Sequence, residues 1–200
     1  MRRTVLLVAV VAACLVMASG VALAVTKIGG PGEDALVGTN NPDLLDGRGG
    51  SDAIHGKGGD DCLTSSRFFF LIGGTGNDAI HGGTGNDCLY GGGDPRGPAR
   101  AYFERGEDDL YGGDGNDFLN GGQGADNIAG GDGNDLLIDG ATKGESSVDA
   151  LSGGNGRDRL DVDNVPAAKD VVDCGAGVDL VDADRKDVLA DCENRGTVGD

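Results

Sequence analysis

The chain has 200 residues, 40 of them Gly and none Trp, and aromatics make up 4% of it, so bulk for an ordinary globular core is scarce. Acidic residues outnumber basic ones 34 to 16, and the formal net charge of −18 argues against nucleic acid as a partner and would repel itself in any compact state lacking counter-ions. Composition alone also fits a disordered acidic linker, so the order of the residues has to decide.

Met1-Arg2-Arg3 is followed by an apolar stretch from Val5 to Leu23 that ends in Ala22-Leu23-Ala24, a small-x-small site open to a signal peptidase. Residues 1–24 read as an export signal cleaved near Ala24, leaving 25–200 as an extracellular domain. A retained anchor is the alternative, because the stretch approaches the roughly 20 residues that span a bilayer. Val11-Ala12-Ala13-Cys14 resembles a lipidation site, but the apolar stretch continues well past Cys14, where a polar tether belongs. Without Cys14, the remaining Cys62, Cys88, Cys174 and Cys192 form an even set, which in an exported chain suggests two disulfides.

Internal repeats come next along the chain. From Gly112 to Ile138 it reads GGDGNDFLN, GGQGADNIA, GGDGNDLLI, three consecutive units of nine residues. The same frame finds units starting at residues 29, 38, 47, 56, 73, 82, 103, 112, 121, 130, 144, 153, 165 and 174. Every unit has Asp sixth: Asp34, Asp43, Asp52, Asp61, Asp78, Asp87, Asp108, Asp117, Asp126, Asp135, Asp149, Asp158, Asp170 and Asp179. Every unit has Leu, Ile or Val eighth. The glycines permit positive φ, so the first six residues are expected to form a tight turn. The last residues alternate like a short strand, with the eighth side chain inward. Two units then make a flattened coil of 18 residues, and stacked coils pair as parallel strands in an all-β β-roll.

GGTGNDAIH at Gly73 and GGTGNDCLY at Gly82 resemble the calcium-binding repeat of the haemolysin-type (RTX) family, GGxGxDxUx with an aliphatic residue at U. The resemblance implies a parallel β-roll with several Ca2+ ions in its turns, held by the sixth-position carboxylates and turn carbonyls. Aspartates of units i and i+2 would share an ion, as Asp117 with Asp135. Calcium takes 6–8 oxygen ligands of mixed kind, which suits such turns. Asp34, Asp43, Asp149 and Asp170 sit in imperfect units, GTNNPDLLD at Gly38 and VPAAKDVVD at Val165 among them, and are expected to bind weakly or not at all.

The frame slips at Ser65 to Ile72, Gly91 to Tyr102, Asp139 to Lys143 and Val162 to Asn164. SDAIHGKGGDDCLT at Ser51 and NDAIHGGTGNDCLY at Asn77 share nine identities at a spacing of 26. If residues 65–72, SSRFFFLI, loop out, Cys62 stacks on Cys88 and His55 on His81, about one strand spacing of ~4.8 Å apart and within disulfide reach. If they form an irregular half-coil, the two Cys fall on opposite faces. In the looped-out version Phe68, Phe69 and Phe70 either present a docking patch or fold back over a sheet. Cys174 and Cys192 lie one 18-residue coil apart. The closing segment resembles the terminal module of secreted proteins with these repeats, so a disulfide there would staple a cap over about 165–200.

Catalysis finds no footing. The chain has no HExxH and no GxSxG, and its two histidines, His55 and His81, are both ninth-position residues. The expected function is a non-enzymatic, secreted, monomeric calcium-binding module that folds on calcium. An adhesin-like protein with a cell-surface or matrix partner is the alternative, and an unrecognised extracellular enzyme the more distant one. Members of the family commonly leave the cell through a carboxy-terminal signal, and the amino-terminal one here departs from that.

Overall fold

The computed structural model of the protein describes residues 24–61, 71–92, 106–140, 147–162 and 168–195. Its strands lie in two parallel sheets, with no helix among the described residues. The first sheet holds, in spatial order, β1 (Thr26–Ile28), β3 (Leu44–Gly49), β5 (Leu71–Thr75), β7 (Cys88–Tyr90), β9 (Phe118–Asn120), β11 (Leu136–Ile138), β13 (Arg159–Asp161), β15 (Leu180–Asp182) and β17 (Asn194–Arg195). The second holds β2 (Ala35–Val37), β4 (Ala53–Gly58), β6 (Ala79–Thr84), β8 (Asp109–Asp114), β10 (Asn127–Gly133), β12 (Ala150–Gly156), β14 (Val171–Gly177) and β16 (Val188–Ala190). Successive strands alternate between sheets, so the chain winds as the expected parallel β-roll.

Alternation places one aliphatic stripe per sheet in the interior. Ile54, Ile80, Leu110 and Ile128 from the second sheet and Leu45, Leu89, Leu119 and Leu137 from the first lie in one buried cluster. The strands are longer than the last residues of each nonapeptide. β4, β6, β8, β10, β12 and β14 run through the seventh to ninth positions and into the glycine-rich start of the next unit. The turn proper is confined to positions four to six, because first-position glycines keep pairing while lying flat beneath the aspartate.

Two sets of turns result. The first edge, where the chain crosses from first sheet to second, carries Asp34, Asp52, Asp78, Asp108, Asp126, Asp149 and Asp170. The second edge carries Asp43, Asp61, Asp87, Asp117, Asp135, Asp158 and Asp179. Equivalent aspartates are 18 residues apart in regular coils and 26, 30, 23 and 21 apart across the four frame slips. Register survives each slip.

At the first slip the half-coil alternative fails, since Asp61 and Asp87 stack on one edge and His55 pairs with His81. Leu71 and Ile72, however, do not leave the roll as the looped-out version has it. They belong to β5, where Leu71 stands between Leu45 and Leu89, fully buried. The eighth slot needs an aliphatic side chain to continue the interior stripe, and Leu71, two residues ahead of Gly73, supplies it. Phe68, Phe69, Phe70 and the proposed Cys62–Cys88 bond lie outside the described residues; Cys88 itself is disulfide-bonded.

The units expected to start at residues 103, 144 and 165 begin earlier. Their first slots hold Gly91, Asp139 and Val162, whose N–H groups donate to Asn120, Asp161 and Asp182 carbonyls one coil on. Cys174 and Cys192 form the expected disulfide with Cα atoms 5.0 Å apart. On the outer face of the second sheet, His55, His81 and Tyr111 stack nearly parallel, with ring centroids 4.6 and 4.8 Å apart. Burial and the neighbouring His55 lower the pKa of His81.

Candidate metal centres

Each sixth-position aspartate folds its side chain into its own turn. Along the second edge, one carboxylate oxygen accepts the main-chain N–H of the aspartate one coil earlier: Asp43 to Asp61 at 2.7 Å, Asp61 to Asp87 at 3.0 Å, and Asp87 to Asp117, Asp117 to Asp135 and Asp158 to Asp179 at 2.8 Å. The first edge has the same ladder, from Asp34 N–H through Asp52, Asp78, Asp108, Asp126 and Asp149 to Asp170. Asp117 and Asp135 therefore meet as the repeat spacing implies.

The other oxygen, Oδ2, lies over the first-position glycine of the same unit. A Cβ at Gly112 would collide with Asp117 Oδ2 and with the Gly130 carbonyl. Oδ2 has no hydrogen-bond partner in Asp52, Asp61, Asp78, Asp87, Asp108, Asp117, Asp135, Asp158 and Asp179, and all are buried. Buried polar atoms are normally satisfied, so nine orphan carboxylate oxygens in register call for a compensating group.

Turn carbonyls complete the surroundings. Gly131 and Gly133, at positions two and four of their unit, have φ of 119° and 151°. A Cβ on either would run into the Gly113 or Gly115 carbonyl oxygen of the preceding coil. These carbonyls thus point along the roll axis from turn to turn. Arg48 and Lys57 occupy second positions with φ of 74° and 85°, a region that disfavours side chains.

Burial pushes the carboxyl pKa of Asp61 and Asp149 up to about 8, of Asp78, Asp108 and Asp117 to about 7, and of Asp87 and Asp135 to about 6. The accepted main-chain N–H opposes the rise in each case, and nearby carboxylates add to it. A bound cation would remove this penalty. Carboxylate and carbonyl oxygens without His or thiolate suit a hard cation such as calcium.

The four imperfect units differ. Asp34 Oδ2 accepts the Gly30 N–H at 2.6 Å, and Asp43 Oδ2 takes the Thr39 N–H at 2.5 Å. Asp149 and Asp170 instead share a buried cluster with Asp139, with carboxylate oxygens within 4.8 Å of one another. Asp139 was no candidate in sequence because a first position is glycine in regular units. Asp187 and Glu193 were also missed: they accept the N–H groups of Asp170 and Asp179 in the final coil. Asp187-Val188-Leu189 repeats the Asp-x-aliphatic signature, which finds it once the glycines are not required.

A parallel β-roll with stacked, oxygen-lined turns defines a calcium-binding repeat architecture. A family model, RTX calcium-binding nonapeptide repeat, matches four copies over residues 28–61, 70–95 and 104–137, and this repeat region belongs to that family. No curated protein matches the chain.

Proposed function

We propose that the chain is an exported, non-catalytic calcium-binding module whose roll forms as calcium binds along both edges. The reading rests on the nine buried Oδ2 atoms that no protein group satisfies. The sixth-position aspartates of successive coils would hold each ion together with second- and fourth-position carbonyls. Asp34 and Asp43, whose Oδ2 atoms already accept a main-chain N–H, would contribute least. The ion supplies positive charge between carboxylates that burial otherwise drives towards protonation.

Residues 1–24 would direct export with cleavage near Ala24, leaving 25–200 as the mature domain with its cap over about 165–200. The Cys174–Cys192 disulfide supports an oxidising destination. A calorimetric titration of the mature chain with calcium, magnesium and zinc tests the reading. Several calcium ions bound in preference to the other two metals are expected, and no calcium binding would overturn it.

A further inference from the structure

We propose that the second edge is the pre-organised calcium row, and that the fifth-position acceptors Asp60, Asn86, Asn116 and Asn134 are the positioning residues that set it. The inference rests on the calcium-binding reading above. These four side chains form an unbroken ladder: Asp60 Oδ1 accepts the Asn86 N–H at 2.9 Å, Asn86 the Asn116 N–H at 2.8 Å, Asn116 the Asn134 N–H at 2.8 Å and Asn134 the Arg157 N–H at 2.9 Å. Each fifth-position N–H therefore points back to the preceding coil. Each sixth-position N–H points forward to the next, as from Asp117 to Asp135.

The peptide plane carries this to the site. A trans peptide holds its C=O opposite its N–H. Anchoring the Asn116 N–H backwards turns the Gly115 carbonyl forwards, towards Gly133 of the next turn. That carbonyl is one of the oxygens proposed to face the ion. The ladder anchors it there with no metal involved, whereas the Gly50 and Gly76 carbonyls of the first edge point the same way without such a rung.

The first edge lacks this device over most of its length. Among the described residues it forms one comparable rung, from the Glu107 N–H to Asn77 at 3.1 Å. Its fifth positions at Ser51, Ala125, Val148 and Lys169 carry no amide or carboxylate. The two edges of one roll are thus built to different tolerances, and calcium should bind them in two classes.

The test is a calorimetric calcium titration of the oxidised mature chain, with circular dichroism at saturating calcium to verify folding. The parent should show a tight and a weak class. Asn116→Ala should weaken the tight class by about fivefold, the effect of one lost hydrogen bond, and leave the weak class in place. Asn116→Asp should bind at least as tightly as the parent, because Asp60 already serves as the first rung with a carboxylate. Ser51→Asn, which places an acceptor below the Asn77 N–H, should tighten the weak class and puts no fold at risk. Unchanged binding in Asn116→Ala, equal damage from Asn116→Asp, or no gain from Ser51→Asn would overturn the inference. A parent that binds no calcium would overturn the underlying reading instead.

Discussion

Asp135→Ala perturbs the most regular part of the second edge. Asp135 is 3% exposed, and its Oδ1 accepts the Asp117 N–H at 2.8 Å. Truncation leaves that buried N–H unpaired, at about 1–3 kcal/mol, and removes a charged ligand worth about 1.5–3 kcal/mol. The second loss falls on ion binding, so the affected sites should weaken roughly ten- to hundredfold. In Asp43→Ala the lost acceptor serves Val25 N–H, and Oδ2 was already occupied by Thr39. Its calcium affinity should stay within about threefold of the parent, although the fold loses stability. Calcium titration and urea unfolding at saturating calcium measure both effects. Equal loss of affinity in the two variants would refute the assignment of ions to turns with an orphan oxygen.

Three further predictions concern pH, backbone strain and the cap. Turn carboxyls with pKa raised from 3.8 to about 6–8 keep their protons in the ion-free roll where the unfolded chain has released them. Without calcium, acidification from about pH 8 to 4 should therefore shift the largely unfolded chain towards the roll, and calcium should abolish that trend; β structure that falls as the pH is lowered in chelator would contradict it. Lys57→Gly relieves a side chain at φ 85°, worth about 1–2 kcal/mol against about 0.5–1 kcal/mol of added chain entropy, so the urea midpoint should rise and a fall would count against the strain. Cys192→Ser opens a loop of 18 residues and should cost about 3 kcal/mol by thermal unfolding, whereas an unchanged melting temperature would show that the cap is held by packing alone.

Asp at position six and an aliphatic residue at position eight were enough to place both edges and, apart from Leu71, the interior stripes, because each obeys a fixed geometric demand. The glycines were a poorer guide. Gly91 and Gly92 belong to a unit completed after the undescribed residues 93–105, and a frame that requires contiguous units assigns its start to residue 103. Leu71 fell inside a supposed insertion because the frame followed Leu63 as the eighth residue, although packing needs any aliphatic side chain that can reach the slot. Asp139 illustrates the same limit: a side chain at a first position must enter the space above the turn, and sequence order does not reveal that Asp149 and Asp170 are waiting there. The orphan oxygens had no sequence signature at all, since they depend on how each carboxylate divides its two oxygens between neighbours.

On the proposed reading, calcium binding and formation of the roll are one event. Far-ultraviolet circular dichroism of the mature chain, titrated with calcium and then with chelator, tests it most directly. A largely unfolded spectrum without calcium, a β spectrum that grows with each addition, and its loss on chelation are expected. A β spectrum that chelator leaves unchanged would contradict it.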